Sequence, residues 1–454
     1  MTRRTIPGMW RPLAVLALVA AGACGDLTVP DYNNPAVDEF ISNPTPGAVR
    51  AAATGLQIGA RAGLTERTGY VAMLGVVGRE SYILDSSDPR YVSELLQGPL
   101  SNSGAFGAGM WTARYANIRG ANLLLAALEN VEGFSAAEAS AIRGWAMTWQ
   151  ALDFLLVINT RDINGAPIEV AGAFDETAPF ATKAAVFQHI VALLDQGRTH
   201  LQAGGAAFPF SIGRGMAAFN TPATFLQFNR ALRARVAVYL GDYAGAITLL
   251  PQTFLSTAAP LDLGAYHTYA TSEGQGNELA STFNYARPAL VADAETQSGS
   301  TTVDRRVVEK VGVHPSPRSQ QGVSSDRQFL LYPDASADVP IIRNEELILL
   351  RAEARWFTGD RPGAMADLNL IRAQSGGLAA VAQPATDAAF IDLLLKERKY
   401  SLMFEGHRWI DARRFGRLES LGRDVAGHVI VPRWSIPEAE CLARDLPSPC
   451  NLGG

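Results

Sequence analysis

Basic charge is scarce in this chain. Its 454 residues carry 39 Lys and Arg against 44 Asp and Glu, a formal net charge of −5. Nothing offers the basic footprint that phosphate binding needs, which excludes nucleic acid as a partner. Catalytic signatures are missing too: there is no H-E-x-x-H, G-x-S-x-G, Walker loop or dinucleotide fingerprint. Strand-like alternation is sparse. Apart from one N-terminal apolar run, no segment reads as a membrane span. Cysteine is limited to Cys24, Cys441 and Cys450. What is present is a hydrophobic content of 48% with 18% charged residues, the balance of a folded globular body.

The N-terminal run has a purpose of its own. Arg3, Arg4 and Arg11 make a basic n-region, and Pro12 to Ala20 is apolar but too short to span a bilayer. It closes on Ala21-Gly22-Ala23 directly before Cys24. Small residues admit a peptidase, and the thiol supplies a nucleophile for acyl transfer. The arrangement resembles a bacterial lipobox. Residues 1–23 are then a signal peptide, and Cys24 carries acyl chains such as palmitate that hold the protein on a membrane surface. The plainer alternative is an ordinary signal peptide with a chance cysteine. Losing residues 1–23 leaves 431 residues and moves the formal charge from −5 to −8. Residues 24–46, rich in Pro, Asn and Asp, read as an extended tether. With Cys24 set aside, Cys441 and Cys450 are expected to pair outside the cytoplasm. The short loop so closed contributes about 2–3 kcal/mol.

Helical periodicity dominates the rest. Trp111, Tyr115, Ile118 and Leu125 recur at i, i+4, i+7 and i+14. A second pattern runs from Ser135 to Ile158, with Ser135 and Glu138 forming a capping box. A third runs from Thr182 to Leu201. An internal repeat appears at an offset of 118: "LRARVAVYLGDYAGA" from Leu232 and "LRAEARWFTGDRPGA" from Leu350. Each copy predicts a helix, a Gly-Asp turn, and a second helix capped by Asp242 or Asp360. Pro362 fits the first turn of the later one. Between and before these copies lie loop-rich stretches, 78–107 and 252–338, of the kind that carries function.

One stretch, "KERKYSLMFEGHRWIDARRFG" from Lys396, concentrates charge. Glu405, Arg408, Asp411 and Arg414 stand three apart, so a continuing helix would carry them as a ladder of opposite charges. Gly406 weakens a helix, which implies close packing at that point. His407 and Asp411 share a face, but one His and one carboxylate make a poor metal site. The reading is a packed helix with a charged ladder, with no catalytic residue and no metal or cofactor site.

The same residues resemble the C-terminal signature of SusD/RagB-type outer-membrane lipoproteins. Glu397, Arg398, Phe404, Glu405, Gly406, Arg408, Trp409, Asp411 and Arg414 match it. "RNEELILLRAEARWFTGDRPGAMADLNLIRAQSGG" is similar to the family's preceding hairpin, and "WTARYANIRGANLLL" to an early helix. The chain is shorter than many members and adds the cysteine pair, while keeping Ile436-Pro-x-x-Glu440. The resemblance implies a mainly α fold: a right-handed scaffold of tetratricopeptide-like hairpins with long irregular loops forming a binding face. It implies a single domain over 47–454, with hairpins around 108–160, 182–250 and 340–416. It also implies a non-enzymatic role. Such proteins sit on the outer membrane, capture oligosaccharides or in some cases peptides, and pass them to a SusC-like TonB-dependent transporter.

A sugar site needs an aromatic platform flanked by polar side chains. The loops offer Tyr82, Asp88, Arg90, Tyr91, Asn102, Tyr266, Tyr269 and Tyr285, and these are the expected ligand contacts. Trp111, Trp145, Trp149, Trp356 and Trp409 lie on helices and are expected to pack in the core. The scarcity of loop tryptophan leaves peptides open as ligands. Two other classes of function remain at this stage. A surface glycoside hydrolase would need two carboxylates across a cleft, and a pure assembly scaffold would need no small ligand.

Overall fold

The computed structural model describes residues 37–172 and 176–451. Cys24 and the expected signal peptide lie outside the described residues. The second half of the expected tether is not extended: Val37–Ser42 is helical, and Asn130 Nδ2 donates to Ile41 O at 2.9 Å. Phe40 packs on the core, and Thr45 followed by Pro46 gives the next helix a cap and a preset first turn.

The scaffold is a succession of helices, several of them begun by a side chain that satisfies a free N–H group. The first is α1, Pro46–Gly59, then α2, Tyr70–Val77, and α3, Gly109–Ala127. Helix α4, Ala136–Arg161, starts on the Ser135–Glu138 capping box, and α5, Lys183–Gln202, on Thr182. Helix α6, Pro222–Tyr239, follows Thr221. Helices α3 to α6 each pack on the next, and with α1 they enclose one core around Trp145 and Trp149. Trp145 meets Phe225 at 4.6 Å and Phe210 at 5.1 Å, and its Nε1 donates to Ala53 O at 2.8 Å.

The internal repeat is a pair of helical hairpins. Helix α7 is Tyr243–Leu249, α8 is Asn344–Phe357, and α9 is Arg361–Ile371. Asp242 accepts from Gly245 N–H at 2.9 Å, and Asp360 from Gly363 N–H at 3.0 Å. Each glycine is required, because a Cβ on it would lie 2.0 Å or 2.1 Å from its capping carboxylate. Gly363→Ala is therefore expected to expel the cap and lose about 1 kcal/mol, read as a lowered thermal midpoint. The two hairpins meet where Tyr243 stacks on Phe357 at 4.7 Å and the buried Arg235 holds Glu346 at 2.6 Å.

Helix α10, Asp387–Ser401, is capped by Thr386, and α11 is Arg408–Arg414. The segments read as loops hold small sheets. Strand β1, Ser81–Ile83, β3, Asn284–Ala286, β4, Val311–Gln320, and β5, Val323–Phe329, form an antiparallel sheet in the order β1-β3-β5-β4. Strand β2, Gly264–His267, pairs with β6, Val339–Arg343, with a bulge between Ala265 and Tyr266. The four-stranded sheet packs on α2 and on Phe404 and Trp409 to make a second core. This corrects the reading of 78–107 as irregular surface, since residues 78–85 are buried throughout. Cys441 and Cys450 are joined, with Cα atoms 5.6 Å apart. Among the described residues, no helix is long and apolar enough to cross a membrane.

Candidate ligand-binding cleft

The charged stretch from Lys396 is not one continuous helix. Helix α10 ends at Ser401, and Phe404 and Gly406 take positive φ, 55° and 82°. A Cβ on Gly406 would lie 3.1 Å from the Tyr70 ring, so packing and backbone both demand glycine. The expected surface ladder is instead a buried fastening. Glu397 lies between Arg306 at 2.9 Å and Arg372 at 2.5 Å. Asp411 accepts from Arg398 at 2.7 Å and Arg414 at 2.9 Å, and Arg414 also reaches Glu353 at 2.6 Å. Phe404 stacks on Phe329 at 4.1 Å, and its N–H donates to Glu80 at 3.1 Å. Trp409 Nε1 donates to Val431 O at 2.7 Å. All of these charges are desolvated, so each needs its partner.

Beside this fastening opens a cleft of about 650 Å³. Strands β2 and β6 supply Tyr266 and Arg343, the short helix Arg305–Lys310 supplies Glu309 and Lys310, and the turn after α9 supplies Gln374. Tyr266 is presented by the bulge. Its hydroxyl donates to Asp262 O, and its carbonyl rests on Gly215, where a Cβ would lie 2.1 Å away. At the rim Arg214 grips Asp338 through two bonds of 2.7 Å.

The cleft floor is ionic. Arg343 bonds Glu405 at 2.7 Å and also contacts Glu345 and the Ser401 carbonyl. Burial pushes the Glu345 carboxyl up, but Arg343 and Lys310 outweigh it and hold it at about 2. Burial, helped by Arg343, pulls Lys310 down to about 8, while its Nζ donates to Ser401 O at 2.6 Å and Tyr400 O at 2.9 Å. The result is a half-exposed ring beside fixed donors and acceptors, suited to a polar ligand with an apolar face.

Of the eight expected contacts, Tyr266 alone lines this cleft. Tyr82, Tyr91, Tyr269 and Tyr285 are at most 5% exposed and belong to the second core, so no ring face is free for stacking. Tyr82 and Tyr285 are cross-strand partners, and the Tyr285 hydroxyl donates to Ser316 O at 2.7 Å. These polar-looking segments fold inward because β1 and β3 complete the sheet over α2. Asp88 and Arg90 bind each other at 2.7 Å on the surface. Asn102 secures the C-terminal segment, donating to Ser448 Oγ at 2.8 Å and Ile436 O at 3.3 Å. Sequence reasoning missed Arg343, Glu345 and Lys310, although the run of charge in Arg343-Asn-Glu-Glu346 was a usable signal. Another hollow, of about 520 Å³, contains one ring, Phe283, already overlaid by Arg67 and Arg318 at 5.1 Å each. Among the described residues no group of three His, Cys, Asp or Glu is placed to hold a metal.

Residues 325–440, which contain the fastening apart from its partners Glu80, Glu295, Asp304 and Arg306, match the family model described as SusD family. No curated protein matches the chain. Solved structures match across most of it. A SusD superfamily protein from Bacteroides vulgatus ATCC 8482 is 18% identical, covering 88% of this chain and 97% of that one, with a TM-score of 0.68. A SusD-like protein from Bacteroides fragilis NCTC 9343 is 16% identical over 89% and 96%, with a TM-score of 0.66. A laminarin binding SusD-like protein is 16% identical over 87% and 96%, with a TM-score of 0.61. Residues 325–440 thus match the SusD family in sequence, and over most of its length the chain shares the fold of SusD-like proteins.

Proposed function

We propose that the protein is a surface lipoprotein of the outer membrane, anchored through Cys24, that captures an oligosaccharide and delivers it to a SusC-like TonB-dependent transporter. The observation that carries this reading is the fold shared, over 87% of the chain, with a protein described as laminarin-binding. The Tyr266 cleft is the proposed sugar site. A sugar ring lays a C–H face on the Tyr266 ring, while Asp262, Glu309 and Gln374 meet its hydroxyls. The role is capture without chemistry. Glycoside hydrolysis needs one carboxyl held protonated near neutral pH. Among the described residues, burial pushes Glu80 to about 7 and Asp153 to about 6, and both are fully enclosed away from the cleft. Within the cleft, Glu345 is held ionised.

Calorimetric titration with oligosaccharides, including laminarin fragments, tests this. At least one is expected to bind without turnover, and Tyr266→Ala is expected to weaken it tenfold or more, about 1.4 kcal/mol. Binding that survives Tyr266→Ala intact would move the site elsewhere. Release of shorter sugars would replace capture by hydrolysis.

A further inference from the structure

A second cavity, of about 330 Å³, lies against α10 and shares no lining residue with the Tyr266 cleft. One stripe of α10 forms a wall with Leu395, Lys399 and Tyr400, and Arg408 and Ala412 of α11 with Leu421 close it. The lining sets six charged residues beside Leu395, Tyr400, Ala412 and Leu421.

Its charges are unevenly matched. The three lining carboxylates are engaged: Asp411 by Arg398 and Arg414, Asp392 by Arg417 at 3.0 Å, and Asp293 by Lys399. Lys396 is engaged by Glu295 at 2.7 Å. Lys399, 11% exposed, meets Asp293 at 3.1 Å, but that carboxylate is 59% exposed and screened by water. Arg408 forms no ion pair among the described residues, and its Nη1 donates to Arg79 O at 2.7 Å. Its carboxyl neighbour, Glu80, is pushed by burial to about 7 and is only partly ionised at neutral pH. Burial and the charge of Arg408 together pull Lys399 down to about 8. Tyr400, 1% exposed, has a hydroxyl with no hydrogen-bond partner. Two cations thus border one small space, opposite an apolar wall.

We propose that this cavity binds a small organic carboxylate of single-ring size, of the uronate class, with the carboxylate between Arg408 and Lys399 and the ring against Leu395, Ala412 and Leu421. An anion there relieves the mutual repulsion of the two cations and gains charge-assisted hydrogen bonds. The volume is near the lower end for ligand pockets, which suits one ring and not a chain. The apolar wall takes the C–H face that a bare inorganic anion lacks. The inference stands independently of the oligosaccharide reading.

Titration of the whole protein with glucuronate, glucose and inorganic phosphate tests it. Glucuronate is expected to bind, with glucose and phosphate each at least tenfold weaker. Lys399→Met is expected to weaken glucuronate at least tenfold, and Arg408→Gln to do the same. Should Arg408→Gln fail to fold, Lys399→Met carries the test, since it removes a charge that burial already disfavours. The proposal is overturned if glucuronate does not bind, if glucose or phosphate binds as well, or if folded Lys399→Met keeps wild-type affinity.

Discussion

Replacing Glu397 with alanine is expected to lower the unfolding free energy by about 3–5 kcal/mol, the cost of stranding buried charge. Glu397 is 0% exposed and stands between two arginines that are each 1% exposed at the side chain. Asp304 holds the far side of Arg306 at 2.6 Å, and Glu295 the far side of Arg372 at 2.6 Å. Five groups therefore form one chain from the short helix Arg305–Lys310, through α10, to the end of α9. Removing the central carboxylate leaves two guanidinium groups against one partner each, in a region that water does not reach. Arg306 also donates to Ser401 Oγ at 3.0 Å, so its displacement would disturb the end of α10 and the floor of the Tyr266 cleft. Chemical denaturation of the variant measures the loss. A change within about 1 kcal/mol of wild type would mean the network relaxes or hydrates, contrary to the desolvation argument. The exposed pair Arg423–Glu419 is the internal control, because breaking it should have no measurable effect.

Stability is expected to fall as pH rises from about 4.5 to about 7, through Glu80. This carboxyl is 0% exposed, and its Oε2 has no hydrogen-bond partner. Burial pushes it from 4.5 to about 7 against the opposing pull of Arg408. The sign follows from proton uptake. Below the unfolded value both states are protonated, and the contribution is fully present. Between the two values folding takes up a proton, so stability declines as pH rises. The shift corresponds to about 3 kcal/mol by pH 8. Glu80→Gln keeps the shape and the Oε1 acceptor for Phe404 N–H but does not titrate. The difference in unfolding free energy between wild type and Glu80→Gln should therefore move against wild type by about 3 kcal/mol between pH 4 and pH 8. A difference that is flat with pH would show that Glu80 stays ionised in the fold. Asp153 acts in the same direction, being raised by burial to about 6 despite Arg114 at 2.6 Å.

Local signals in the sequence were reliable where they depend on neighbours along the chain. Ser135, Thr182, Asp242, Asp360 and Thr386 all cap the helices that follow them. Trp111, Trp145, Trp149, Trp356 and Trp409 are all at most 2% exposed, as helical spacing implied. The signals failed where a partner lies far away. Glu405 and Asp411 look in sequence like rungs of a surface ladder, because opposite charges at i+3 look the same in water or in a core. Their environment comes from Arg343 and from the break at Phe404, neither of which helical spacing foretells. The tyrosines of 78–107 and 252–338 failed for a related reason. Turn-forming residues around Tyr82 and Tyr285 suggested surface, whereas pairing between strands 200 residues apart buries both. Of the candidate site, Tyr266 was legible as a loop aromatic. Its ionic floor was not, because that floor combines β6, α8 and the turn after α10.

The fastening also has a consequence for timing. Arg79 O waits for Arg408, the Glu80 carboxyl for Phe404, and the Thr160 carbonyl for Trp434. Trp111 likewise finds its acceptor only in Glu440. During synthesis the early helices therefore emerge with polar groups that stay unmatched until the last eighth of the chain is being made. Contacts of such long sequence separation form late. The nascent protein cannot lock its second core by halves, and the final residues act as the closing stitch of the whole fold.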